Sequence, residues 1–243
     1  MDRKIEARQL MVQAVKRLAG QMPVLVRVNA PSNILCEDVA ALPLSLIKCV
    51  LLPKAESAEQ VKRLASLLEQ KSEKHAAPTP IAALIETPLG VVRAEQIATA
   101  HPSVVALGFG GEDYAVAMGI APKSESLLWP AQAVANCARA FNLACWGLPG
   151  SVAEIEDMQA FSDLVHQARR IGFSGTVCIH PRQVEFANKG FCPTGQELAW
   201  ARKVVTAAQS TELQVKGVII IDGRMVDKPI VERAQRWLKS ADS

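Results

Sequence analysis

Residues 81–88 read Ile-Ala-Ala-Leu-Ile-Glu-Thr-Pro, and residues 104–113 read Val-Val-Ala-Leu-Gly-Phe-Gly-Gly-Glu-Asp. Each is a short apolar run that ends in an acid, the pattern of a strand buried on both faces in a parallel sheet. These two runs predict strands over 80–87 and 104–110. Working outward, similar β-rich runs stand at 24–29, 48–53, 142–147 and 176–180, with a further one at 217–222. Stretches of helical period lie between most of them, the first over 4–19, so the chain reads as βα repetition.

Three helices carry start signals. Ser57-x-x-Gln60 precedes Val61, Leu64, Leu67 and Leu68; Ser151-x-x-Glu154 precedes Ile155, Met158, Phe161, Leu164 and Val165; Thr194-x-x-Glu197 precedes Leu198, Val204 and Val205. Each is a capping-box pattern followed by an apolar stripe. Arg169 and Arg170 suit the dipole of a last turn, and Gly172 suits a left-handed stop. No linker or compositional shift divides the chain. The expectation is one α/β domain over 1–210 and a C-terminal extension over 211–243.

Composition narrows the function. The 243 residues are 49% apolar, too apolar for disorder, and 27 Lys plus Arg against 24 Asp plus Glu leave a net charge of +3 with no basic block. Nucleic acid and acidic membranes are therefore not expected partners, and small-molecule chemistry is. The start, Met-Asp-Arg-Lys-Ile-Glu-Ala-Arg, is charged where a signal peptide needs an apolar stretch, and no run is long enough to span a bilayer, so a cytosolic protein is expected. The six cysteines and four histidines form neither Cys-x-x-Cys nor His-x-x-x-His, which removes zinc and disulfide frameworks; most of the cysteines read as small apolar core residues. Cys178 near His180 is a weak nucleophile pattern, because adjacent strand positions face opposite ways. His180, before Pro181 at a strand end, reads more readily as structural than as a base. Trp129, Trp146, Trp200 and Trp237 show no stacking repeat and read as core or interface residues.

The strand ends hold the chemistry. In Val24-Leu-Val-Arg-Val-Asn29, alternation puts three valines on one face and Leu25, Arg27 and Asn29 on the other. A buried Arg27 would need an anion or a carboxylate partner, which leaves a structural ion pair and ligand binding both open. Glu86 ends its strand, and Glu112-Asp113 follows the next, whose face bearing Ala106, Gly108 and Gly110 is nearly bare. Two strands thus deliver carboxylates to one sheet edge, where α/β folds place their sites. Oxygen ligands in that number suit Mg²⁺, although solvated or helix-capping acids would look the same. Gly108-Phe-Gly-Gly is neither a dinucleotide fingerprint nor part of a P-loop.

Six segments occur in order: Val-Arg27-Val-Asn29, Leu-Pro53-Lys54-Ala-Glu56-Ser57, Leu-Ile-Glu86-Thr-Pro88-x-Gly90, Gly108-Phe-Gly-Gly-Glu-Asp113, Gly-Thr-Val-Cys-Ile-His180-Pro181-x-Gln183 and Asp222-Gly-Arg-Met-Val-Asp227. Together they resemble the citrate lyase β-subunit family of CoA-ester lyases over nearly the whole chain. The resemblance implies an α/β fold of the TIM-type (β/α)₈ barrel class. Relatives open with a strand ending in Val-Pro-Gly, a helix, and a strand ending in Asp-Leu-Glu-Asp, and this chain has neither strand. It therefore reads as a barrel lacking the first two strands and first helix, with a C-terminal extension. Two further departures are Trp146 where Asp is common, and Trp129-Pro130-Ala where a Tyr-Ala-Arg segment is common.

The resemblance further implies Mg²⁺ on Glu86 and Asp113, and cleavage of a 3-hydroxyacyl-CoA of citramalyl or citryl type to acetyl-CoA and a 2-keto acid. Arg27 would offset charge on the carbonyl or enolate oxygen. Gly111, Glu112 and Asp113 would join Arg27 and Glu86 in binding substrate, the backbone N–H groups of Gly111 to Asp113 holding the keto-acid carboxylate. Asp227 would be the movable acid/base, often lent to a neighbouring subunit, in a homo-oligomer for which the family favours a trimer; it also suits a helix N-cap before Pro229. The competing readings are an aldolase acting on a free hydroxy-keto acid, and an inactive or structural barrel subunit.

Overall fold

The computed structural model describes residues 2–72, 77–209 and 217–241; His75 and the first part of the expected extension, 211–216, lie outside them. The chain divides into two compact units, Met1–Ala187 and Asn188–Ser243.

In the first unit the elements are α1 (Asp2–Leu18), β1 (Leu25–Arg27), α2 (Ser32–Ala41), β2 (Cys49–Leu52), α3 (Ala58–Lys71), β3 (Ile81–Ile85), α4 (Pro88–Val92), α5 (Ala94–Ala98), β4 (Val104–Phe109), α6 (Gly111–Met118), α7 (Ser124–Ala140), β5 (Ala144–Gly147) and α8 (Met158–Arg170), and α9 (Pro181–Phe191) runs through the point of division. The five strands are all parallel and lie in sequence order. Their register gathers Leu25, Arg27, Cys49, Leu51, Ala82, Leu84, Ala106, Gly108, Ala144 and Trp146 on one face. The opposite face carries the buried Val26, Val50, Leu52, Ala83, Ile85, Leu107, Phe109 and Cys145. Helices cover that second face, α5 against β3 and α7 against β4 and β5. The Ser57–Gln60 capping box forms as the spacing predicts, and α3 buries Val61, Leu64, Ala65 and Leu68. Each such leucine withdrawn from water stabilises the fold by about 1.5–3 kcal/mol.

Three local expectations are corrected. The strand predicted over 176–180 is reduced to one parallel bridge between Trp146 and Gly175. Val177 and Ile179 are more than half exposed, and the Gln183 side chain takes the N–H groups of Ile179 and His180, so no ladder can use them. Ser151 and Glu154 do not form a capping box. Glu154 accepts the N–H groups of Glu156 and Asp157, making a turn, and Asp157 caps α8 by accepting from Gln159 and Ala160. Arg27 is exposed rather than buried: it lies on β1, the edge strand of the sheet, and its neighbour Leu25 on the same face is exposed with it. It needs no internal partner. The stop at Gly172 does take positive φ, +109°.

The second unit contains α10 (Gly195–Ala208), β6 (Ile219–Ile221), β7 (Arg224–Val226) and α11 (Lys228–Ala241). The run expected as a strand over 217–222 is one arm of an antiparallel hairpin whose turn, Asp222-Gly223, has both φ values positive. Thr194 and Glu197 form the predicted capping box on α10. Ala201 and Val204 of α10 bury against Val226, Val231 and Ala234, so α10 belongs with the hairpin and α11. For that reason the division falls at Asn188 and not at 211. Trp200 and Trp237 pack 6.1 Å apart, with the Arg233 guanidinium over both rings. Among the described residues no helix is long and apolar enough to cross a membrane.

Candidate active site

The carboxyl ends of β1, β3, β4 and β5 surround a cavity of about 210 Å³ lined by Arg27, Glu86, residues 108–113, Trp146 and Leu148, among others. Parallel α/β folds expose strand-end backbone and helix starts at this edge, which is why sites form there. The bare face of β4 lets Glu86 lie against it. A Cβ built on Gly110 would stand 2.6 Å from Glu86 Cγ and 2.9 Å from its Oε1. Only glycine fits there, although the Gly110 φ of −103° is open to any residue.

Glu86 is 6% exposed. Its Oε2 accepts the backbone N–H of Lys54 at 2.8 Å, while Oε1 receives no hydrogen bond from the described residues. Burial pushes its pKa up and the Lys54 N–H pulls it back; Asp113 pushes it up again, against the Arg27 and Lys54 charges. A carboxylate held in this way favours a cation at the free oxygen.

Asp113, at the first turn of α6, is exposed and pairs through Oδ1 with Lys54 Nζ at 2.8 Å. Lys54 therefore touches both carboxylates. Its turn after β2 has φ +48° and is fixed by Ala55, whose N–H donates to Leu84 O at 2.9 Å and whose carbonyl lies 2.6 Å from where a Gly90 Cβ would stand. The Thr87 hydroxyl adds a bond to Glu56 at 2.7 Å. Lys54 stands in the Leu-Pro53-Lys54-Ala-Glu56-Ser57 segment, whose pattern alone shows no role for it. Only the long-range turn geometry reveals one.

Arg27 reaches the cavity from β1 and makes no ion pair among the described residues. Two residues on, Asn29 anchors the strand end. Asp38 accepts both its backbone N–H (2.9 Å) and its amide (2.6 Å), and Arg8 Nε donates to the same carboxylate at 2.8 Å. Burial opposes ionisation of Asp38, but these bonds win and hold its pKa below the usual range. Gly111, Glu112 and Asp113 present first-turn N–H groups of α6 with no backbone acceptor among the described residues. The Glu112 carboxylate is hydrogen-bonded to the Ser151 hydroxyl. Gln183, fully buried, donates to the carbonyls of Val152 and Glu154 at 2.8 and 2.9 Å and so ties down the loop after β5. Trp146, on β5, lines the same cavity.

Among the other expected residues of the first unit, Cys178, His180 and Trp129 do not line the cavity. Asp227, in the second unit, heads α11 and accepts the Ile230 N–H at 3.3 Å. His180 Nδ1 accepts the Arg182 N–H at 3.2 Å, a structural turn contact. Burial raises the Cys178 pKa, the opposite of an activated thiol. Cys49 and Cys145 are core residues with pKa values pushed up by burial to about 11 and about 12, but Cys137 and Cys178 are half-buried and Cys36 and Cys192 exposed, so the core reading holds for two of the six cysteines and not for most. Trp129 is 66% exposed and not a core residue.

Among the described residues no three His, Cys, Asp or Glu side chains form a metal cage. Mg²⁺ does not require one, since it keeps waters and takes one or two carboxylates together with substrate oxygens. Glu86 with its unengaged Oε1, and Asp113 at the cavity mouth, fit that coordination habit.

Residues 1–181 match the HpcH/HpaI aldolase/citrate lyase family. The citrate lyase subunit beta of Leuconostoc mesenteroides subsp. cremoris is 32% identical over 99% of this chain and 81% of its own length. A citrate lyase subunit beta-like protein of Mycobacterium tuberculosis is 33% identical over 89% of this chain and 76% of its own. The crystal structure of protein CitE from Mycobacterium tuberculosis, in complex with magnesium, acetoacetate and coenzyme A, superposes with a TM-score of 0.73 at 29% identity, covering 95% of this chain and 84% of that one.

Proposed function

We propose, for a chain that belongs to the HpcH/HpaI aldolase/citrate lyase family and is a lyase, magnesium-dependent cleavage of a 3-hydroxyacyl-CoA of citramalyl or citryl type into acetyl-CoA and a 2-keto acid. The observation that carries this reading is Glu86, a buried carboxylate with one oxygen unengaged by the described residues, beside Asp113 and an exposed Arg27 at the carboxyl edge of the sheet. The magnesium and coenzyme A in the similar CitE structure support it.

Glu86 and Asp113 would hold Mg²⁺, which supplies a Lewis acid and a template for the keto-acid carboxylate and carbonyl oxygens. As the 3-hydroxyl gives its proton to a base drawn from solvent, its O–H electron pair forms the keto-acid carbonyl. The breaking C–C bond sends its electrons into the thioester, giving the enolate of acetyl-CoA. Arg27 offsets the negative charge on that enolate oxygen, and its exposed guanidinium, which has no ion pair among the described residues, is available for it. The N–H groups of Gly111, Glu112 and Asp113 hold the keto-acid carboxylate. Asp227 returns a proton to the acetyl carbon, a role supported by the Asp222-Gly-Arg-Met-Val-Asp227 segment. A homo-oligomer of trimer type accompanies this reading, supported by the exposed Val92, Val116 and Trp129 on α4, α6 and α7, and sedimentation of the full chain tests it.

The test offers citramalyl-CoA and citryl-CoA with Mg²⁺ and follows keto acid and free thiol separately. One keto acid per thioester consumed, with no free thiol, supports the lyase. Asp227→Asn should abolish turnover in this mechanism and leave an aldolase on free hydroxy-keto acids unaffected. Absence of keto acid from both thioesters with a folded chain overturns the reading.

A further inference from the structure

Lys54 contacts two of the three carboxylates that line the cavity, Glu86 and Asp113, one through its backbone and the other through the end of its side chain. Its backbone N–H meets Glu86 Oε2 at 2.8 Å from a turn clamped by the Ala55 to Leu84 bond and by the close approach of Gly90. Its ammonium reaches Asp113 Oδ1 at 2.8 Å, and both side chains of that pair are about half exposed, 55% and 47%. The backbone contact is rigid and the ion pair is loose. An exposed pair of this kind is readily exchanged for a better cation. Besides Asp113 the acids lining the cavity are Glu86 and Glu112, the latter bonded to the Ser151 hydroxyl, and a divalent cation at Asp113 Oδ1 would take the place that the Lys54 ammonium holds.

We infer that Lys54 is a positioning residue with a built-in place-holder cation: its N–H fixes Glu86 permanently, while its ammonium holds Asp113 toward the cavity until a divalent cation displaces it. The inference rests on the proposed Mg²⁺ site. It assigns Lys54 a cost as well as a benefit. The ammonium keeps two acidic groups close in the metal-free chain, and it competes with the metal for one of them. A merely structural lysine would stabilise the fold and leave metal affinity alone.

The experiment titrates Mn²⁺ into the full chain and reads free Mn²⁺ by its electron paramagnetic resonance signal, with Mg²⁺ as competitor. Lys54→Met removes the competing charge and keeps the aliphatic stem, so Mn²⁺ should bind about 2- to 5-fold more tightly, the range spanned by an exposed ion pair. Lys54→Arg restores a cation and should return the affinity to the wild-type value. Should Lys54→Met fail to fold by circular dichroism, Lys54→Gln gives the same reading. Unchanged or weaker Mn²⁺ binding in the charge-removed variant, with wild type binding normally, overturns the role of Lys54 and leaves the metal site standing. Failure of the wild-type chain to bind Mn²⁺ overturns both.

Discussion

Gly110→Ala isolates the steric support of the site. The backbone there is permissive, φ −103°, ψ 89°, so alanine introduces no torsional strain. The added methyl would lie 2.6 Å from Glu86 Cγ, 2.9 Å from Oε1 and 3.2 Å from Cδ. Ordinary carbon contacts need about 3.5–4.0 Å, so the Glu86 side chain must retreat by about 1 Å. It has little freedom to do so, being 6% exposed and held at 2.8 Å by the Lys54 N–H. Overpacking of this kind costs about 1–3 kcal/mol, and a 1 Å misplacement of a reacting group costs about 10²-fold in rate. Thermal unfolding should therefore show a modest loss of stability, Mn²⁺ binding should weaken, and keto-acid release should fall by about two orders of magnitude. Gly195→Ala, at a glycine with no atom within 4 Å of the added methyl, is the control and should change none of these. Wild-type metal affinity and turnover in Gly110→Ala would refute the view that Glu86 is held in a tight seat against β4.

Other perturbations separate charge from packing. Arg27→Gln should leave unfolding within about 0.5 kcal/mol of wild type, because the side chain is exposed and has no ion pair among the described residues, while cutting turnover about 10²- to 10³-fold; chemical denaturation and keto-acid assays check the two halves. The raised Glu86 pKa means the folded chain binds this proton more tightly than the unfolded one, so the metal-free protein loses stability as pH rises from the ordinary carboxyl range through the folded value. Glu86→Gln should remove that slope and be the more stable form at neutral pH without metal, as melting curves across pH would show. Gln183→Ala leaves unpaired the carbonyls of Val152 and Glu154 and the N–H groups of Ile179 and His180, and should cost about 2–4 kcal/mol in denaturant unfolding.

Sequence legibility followed the range of the interactions. The Ser57 and Thr194 capping boxes span three residues and formed as read, and β2 to β5 lie within their predicted runs because a continuous apolar stretch is a local signal. Glu86 and Asp113 were legible as strand-end acids, since parallel topology alone sends them to one edge. The 151–154 pattern misled because Ser and Glu at that spacing also close turns, and Asp157 offered a better cap. The run over 176–180 has strand composition, but Gln183 captured its N–H groups, a competition no periodicity shows. Arg27 looked buried because a parallel sheet normally covers both faces of its strands. Lys54 was invisible as a link between two carboxylates, because it meets one through its backbone and the other through its side chain.

The most direct test of the Mg²⁺-dependent lyase account is keto-acid release from citramalyl-CoA and citryl-CoA as Mg²⁺ is returned to the EDTA-stripped full chain. Saturable recovery in wild type, with none in Glu86→Ala, is the predicted result. Equal turnover in EDTA, or turnover unaltered by Glu86→Ala, would contradict it.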